Sequence, residues 1–260
     1  MTQYKRIFEL KNAAKDKLDG KYTGAVLILV LSSIISNTVT LIIDSIGTAT
    51  LETIQMLSGS GAAHTIILVV FNMLLILANI ICAVMETGIA LYFLNIACGR
   101  PLSVRDLFYG FQNDPQKSLA IATAIVLCRL ICLWPFQYLA QALLKTRDLK
   151  WFLYAGIAFA IGLCIYVTVS LGIALSFYLL LDFPQNSAKE TLALSWRAMR
   201  GQRRRLFLLE MSFLPLMLLC LLSFGIGFLW LEPYMQMTYA CFFLDLMNPA
   251  AATPPRTIAP

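Results

Sequence analysis

Arg129 makes the largest demand on its surroundings of any residue in the chain. It lies well inside the apolar run from Ser118 to Leu144. If that run crosses a bilayer, the guanidinium sits near mid-membrane, where a charge costs at least about 2.5–3.5 kcal/mol on insertion scales. It must then face protein or water, and the acids within reach are Asp245 and Glu210. Three readings fit this set: a sheltered ion pair that is purely structural, a fixed countercharge for a solute or ion, or a side chain that snorkels without a specific partner. Enzymatic chemistry has no comparable support. His64 is the single histidine, and the sequence contains no H-E-x-x-H, no G-x-S-x-G and no phosphate-binding glycine loop. The seven cysteines (82, 98, 128, 132, 164, 220 and 241) sit in or beside apolar runs without a C-x-x-C, so they read as small apolar fillers. No catalytic residue, metal site or cofactor is therefore expected.

The second concentration of chemistry is "SWRAMRGQRRRLFLLEMSFLP", Ser195 to Pro215, where five arginines meet an apolar run. Arg203, Arg204 and Arg205 read as anchors among anionic headgroups, each worth about 1 kcal/mol near such a surface. Composition sets the frame: 260 residues, 59% apolar and 13% charged, with a mean hydropathy of +0.76. That is far greasier than a soluble domain. The net charge of +6 falls in short clusters beside spanning-length runs, which a bilayer explains and nucleic acid does not.

A span needs about 20 apolar residues, so the expected fold is an all-α polytopic bundle of about six transmembrane helices. The runs are 24–43, 65–95, 118–144, 151–181, 206–231 and a short one at 233–247. They follow a basic amphipathic helix over 1–22 and precede a disordered tail at 249–260, rich in Ala and Pro. The first run exceeds a cleavable signal core and reads as an uncleaved anchor. Lysines and arginines fix the orientation. With the N-terminus inside, the inner segments hold six, three, six and one of them, against Lys145, Arg147 and Lys150 outside. Glu86 falls at the inner interface, and "SGSGAAH" lies in a flexible outer loop from Asp44 to His64. Pro215 kinks the fifth span, while Pro233 starts the sixth helix with Glu232 at its positive end. Trp230 and Tyr234 become outer-interface aromatics.

Each inner segment also carries a helical apolar stripe: Ile7, Leu10, Ala14 and Leu18; then Val104, Leu107, Phe108 and Phe111; then Ala188, Leu192, Trp196 and Met199. Ser103 with Asp106, and Ser187 with Glu190, have capping-box spacing. Such helices either lie in the headgroup layer or pack on the protein's own spans. "GIAL" recurs at Gly88 and Gly172, and the same step of 84 residues relates the two capping boxes. An internal duplication or chance match would each produce this.

The segment "DFPQNSAKETLALSWRAMRGQRRRLFLLEMSF", with "GIGFLWLEPY", "LKNAAKDKLDGKY" and "RPLSVRDLFYGF", resembles the bacterial integral membrane proteins of domain-of-unknown-function family nine-seven-five. The resemblance rests on Asp182, Pro184, Ser195, Met199, Gly201, Leu206, Phe207, Leu209, Ser212, Phe213, Gly225, Gly227, Trp230, Leu231, Pro233 and Tyr234. A tryptophan expected near Leu214 and Pro215 is absent, and Phe242-Phe243 replaces the usual Phe-Tyr. The resemblance implies a plasma-membrane protein of about six spans and carries no activity with it. The functional expectation is a non-enzymatic, transport-related or accessory membrane component, with the lipid bilayer its one definite partner. The alternative is the membrane subunit of an ATP-driven transporter, with 103–111 and 187–200 as coupling helices.

Overall fold

In the computed structural model, which describes residues 4–58, 61–146 and 149–248, all regular structure is helical among the described residues. The eleven α-helices are α1 (Ile7–Leu18), α2 (Tyr22–Ser58), α3 (Ala62–Cys98), α4 (Tyr109–Gln112), α5 (Pro115–Thr146), α6 (Leu149–Ile173), α7 (Ser176–Asp182), α8 (Ala188–Ala198), α9 (Arg203–Met211), α10 (Leu214–Leu222) and α11 (Phe228–Met247). A 3-10 helix, Val104–Phe108, precedes α4. The expected tail at 249–260 and the outer residue Arg147 lie outside the described residues.

Among the described residues five stretches are long and apolar enough to cross a membrane: Tyr22–Ile54, His64–Cys98, Pro115–Leu133, Phe152–Asp182 and Arg203–Leu222. Most of their apolar surface is uncovered; Leu41, Ile46, Ile66, Met73, Ile131, Phe152 and Leu222 are all more than half exposed. In water this would be a liability, but in hydrocarbon it is the ordinary surface of a span. The buried core gathers at one end of the molecule, around Phe93, Leu107, Leu179, Phe213, Phe242 and Phe243.

The chain repeats one motif: a short amphipathic helix followed by a helical hairpin. The hairpins are α2–α3, α5–α6 (extended by α7) and α9–α10 with α11. Each short helix packs on the returning arm of another hairpin, since the 3-10 helix and α4 lie on α3, α8 lies on α6 and α7, and α1 lies on α11. The arrangement therefore closes on itself. The 84-residue step reappears in the element ends, from Cys98 to Asp182 and from Val104 to Ala188. All three short helices begin with the same device: an acid three positions along accepts the N-cap amide. The pairs are Arg6 N to Glu9 Oε2 at 2.9 Å, Ser103 N to Asp106 Oδ2 at 3.4 Å and Ser187 N to Glu190 Oε2 at 2.8 Å.

Three boundaries differ from the sequence expectation. The outer loop from Asp44 is helix as far as Ser58; Thr48, Thr50 and Thr53 each donate to the carbonyl four residues back, so their polarity is absorbed by the helix itself. The run at 151–181 breaks at Ala174–Leu175, where α6 gives way to α7. The last hairpin turns at Ser223–Gly227, with Phe224 and Gly225 at φ 54° and 85°, so α11 has 20 residues and Glu232 and Pro233 lie inside it. The expected kink is present as an interruption at Ser212–Phe213, with Pro215 in the first turn of α10.

Candidate functional site

Arg129 does not meet either expected acid. Its Nη2 donates to Asn79 Oδ1 on α3 at 3.4 Å, and its side chain is exposed along α5. Asp245, buried to 6% exposure, pairs instead with Arg205 Nη2 at 2.5 Å. The same carboxylate accepts from the Lys5 amide at 3.3 Å, and Arg205 donates to the Lys5 carbonyl at 2.6 Å. Arg205 also lies over the rings of Phe242 and Tyr4, at 4.9 and 5.2 Å. Glu210 is half-buried on α9. The proposed trio Arg129, Asp245 and Glu210 is therefore not one site. Asp245 belongs to a clasp joining the start of the chain, the start of α9 and the end of α11.

This clasp revises the role of the three arginines. Arg205 is committed to Asp245, and the Arg203 guanidinium stacks on Trp196 at 3.8 Å. Only Arg204 is exposed and free to serve as the anchor first expected of all three. Trp230 and Tyr234 are also relocated. The Tyr22 hydroxyl, at the first residue of α2, donates to the Trp230 carbonyl, and Lys15 Nζ lies 5.7 Å from the centre of the Tyr234 ring. Both aromatics sit at the end of the molecule that holds the basic helix α1, not at the opposite end.

The α1 lysines work as stitches. Lys11 donates to the Ser212 carbonyl at 2.9 Å and lies 4.0 Å over the Phe213 ring, and Lys17 donates to the Ala97 carbonyl. Burial, with Lys15 nearby, holds the Lys11 ammonium below its ordinary pKa. The carbonyls at Ala97 and Ser212 are helix-end acceptors, the natural partners of cations.

The stripes were read correctly on α1, where Leu10, Ala14 and Leu18 are buried. On the second segment Leu107 is buried but Val104, Phe108 and Phe111 are exposed. On the third segment Met199 of the stripe is buried and Ala188, Leu192 and Trp196 are half-buried, while the buried face of α8 itself is Thr191 and Ser195, with Ser195 Oγ donating to the Gly172 carbonyl at 3.0 Å. The glycines of the repeated "GIAL" explain the docking. A Cβ on Gly88 would overlap the Leu107 carbonyl, and one on Gly172 would overlap the Trp196 ring.

Sequence reasoning missed a polar seam on α3. Thr65, Asn72, Asn79 and Glu86 recur every seven residues on one face of this span, with Arg129 reaching the third of them. Thr65, Asn72 and Glu86 are exposed and Asn79 is half-buried. Asn72 and Asn79 satisfy their amide donors on Leu68 and Leu75, four residues back. The regular spacing was the available signal. Glu86, at the inner end of this row, lies twelve residues before the end of α3, about 18 Å from that end at helical rise.

Exposed apolar helical hairpins around a polar, charge-clasped end define a multi-pass membrane protein by build. The chain belongs to the family described as Protein of unknown function (DUF975), which it matches over residues 1–249. No curated protein and no solved structure matches it.

Proposed function

We propose that this chain is a non-enzymatic, transport-related component of the bacterial plasma membrane, with its basic elements on the cytoplasmic side. The observation that carries this reading is the Arg129–Asn79 contact in the α3 seam. Among the described residues this charge meets one amide oxygen and no carboxylate, and intramembrane ionisable groups mark solute or ion paths by default. The clasp supports an even number of crossings. Because Lys5 touches Asp245, the N-terminus and the end of α11 lie on one side, which the excess of Lys and Arg assigns to the cytoplasm. Four and six crossings both satisfy this.

The test is Arg129→Gln in cells lacking the native gene, screened against solutes and envelope-stress agents. Loss of the wild-type phenotype with unchanged thermal stability in detergent supports a solute or ion role. Loss of stability in proportion to phenotype makes the arginine structural. A second reading, the membrane subunit of an ATP-driven transporter, is favoured by the capped helices at 104–112 and 188–198, which are seated firmly on the spans while Lys189, Arg197 and Arg200 remain exposed. A nucleotide-binding subunit co-purifying in stoichiometric amount supports it, and absence of one from several mild detergents counts against it.

A further inference from the structure

We infer that α9–α10 and α11 form a re-entrant hairpin whose turn ends inside the hydrocarbon and never reaches the outer face. The chain then crosses the membrane four times and dips into it once. This rests on the membrane reading above, and three independent features carry it.

The first is depth. Leu229 and Trp230 line a groove with Tyr22, Thr23, Val26, Leu27 and Val30, so the start of α11 is level with the first nine residues of α2. That stretch rises about 12 Å, and the six residues from Trp230 to Phe224, bonded three residues back, add about 12 Å more at a rise of about 2 Å each. The tip therefore stands about 24 Å beyond the level of Tyr22, against a hydrocarbon layer of about 30 Å. The 37 residues of α2 extend about 55 Å and pass well beyond it. Tilting the bundle shortens the reach of the hairpin further.

The second feature is composition. From Met211 to Leu231 the chain carries no charged side chain, and the tip presents Leu218, Leu219, Leu221, Leu222, Phe224 and Ile226 outward, Phe224 at 98% exposure. A turn emerging into water would leave this surface solvated.

The third is hydrogen bonding. Hydrocarbon tolerates a turn only if its backbone donors are satisfied within the protein. Every N–H from Ser223 to Leu231 is satisfied. Ser223, Phe224 and Gly225 donate to Leu219, Leu221 and Cys220; Ile226, Phe228, Leu229 and Trp230 each donate three residues back; Leu231 donates to Gly227. Gly227, the remaining donor, is taken by Ser223 Oγ at 3.1 Å, whose own hydroxyl donates to the Cys220 carbonyl at 2.8 Å. Gly225 N–H reaching back to Cys220 closes the end of α10 from a left-handed glycine. The donors of the turn require no water.

The experiment places single cysteines in a cysteine-free chain and applies an impermeant maleimide to intact cells and to inverted vesicles. Gly61→Cys and Lys189→Cys are references for the two faces. Phe224→Cys is expected to resist labelling from both faces and to label once detergent removes the lipid. Labelling from the outer face alongside Gly61→Cys overturns the hairpin in favour of six crossings. Labelling from the inner face alongside Lys189→Cys overturns it in favour of a surface-lying helix pair. If the two references label from the same face, the membrane orientation itself has failed, which is a distinguishable result. A measurement independent of thiol reactivity uses Phe224→Trp, with Trp134, Trp151, Trp196 and Trp230 changed to Phe, in vesicles of brominated lipid. Stronger quenching by bromines near the chain ends than near the headgroups supports the inference, and the reverse order overturns it.

Discussion

Removing either partner of the Arg205–Asp245 clasp should destabilise the fold unequally, and the contacts give the order. Breaking a buried pair by deleting one partner typically costs about 3–5 kcal/mol, because the survivor is left uncompensated. Arg205→Ala leaves the buried Asp245 carboxylate with only the Lys5 amide at 3.3 Å, which places it at the upper end of that range. Asp245→Ala leaves an arginine 16% exposed that keeps the Lys5 carbonyl and the faces of Tyr4 and Phe242, which places it at the lower end. The double variant should lose less than the two single losses added together, by about 0.5–3 kcal/mol. The assay is denaturation of the purified protein in mild detergent, followed by Trp fluorescence and repeated at high salt. A pair this buried should respond little to ionic strength. Strict additivity, or the opposite order of the single variants, would refute the idea that this pair closes the ring of hairpins. Combining Arg129→Ala with Asp245→Ala should be additive, since the two residues have separate partners.

Gly88→Ala should destabilise the protein, although Ala in a helix interior normally gains about 1 kcal/mol over Gly, because the new methyl overlaps the Leu107 backbone; detergent melting checks the sign. Ser187→Ala should cost about 1 kcal/mol through loss of the α8 cap. Separately, the Ser187 amide and hydroxyl hold the Glu190 carboxyl below its ordinary pKa, so the stabilisation from this carboxylate is complete above the ordinary carboxylate value and is lost as pH falls through the depressed one. Glu190→Gln should flatten this dependence in an acid titration of stability. Arg129→Gln should change stability by at most about 1 kcal/mol, the scale of a single exposed hydrogen bond.

The parts of the fold set by local composition were legible in the sequence. The α1 stripe, the capping boxes and the main spans follow from periodicity and cap spacing, which act within a few residues. The extension of α2 past Asp44 was not legible, because threonines that satisfy themselves on the preceding turn look like loop residues to any reading based on polarity. The buried face of α8 has a related cause: Ser195 is buried because Gly172 leaves a carbonyl open to it, a pairing between positions 23 residues apart. The partner of Asp245 was missed because Arg205 belongs to a basic cluster that lipid explains equally well. Forty residues separate that pair, and depth alone had favoured Arg129. The α3 seam was visible as a seven-residue recurrence but is masked by the high apolar content around it.

The most direct test of the central claim, a membrane protein with its clasped basic end inside and the α2–α3 tip outside, is a pair of reporters in living cells. A phosphatase that matures only outside the cytoplasm, inserted at Gly61, should be active, and a fluorescent protein that matures only in the cytoplasm, fused after the C-terminus, should be bright. An inactive phosphatase at Gly61 together with a dark C-terminal fusion, in protein shown by blotting to be present, would contradict the account.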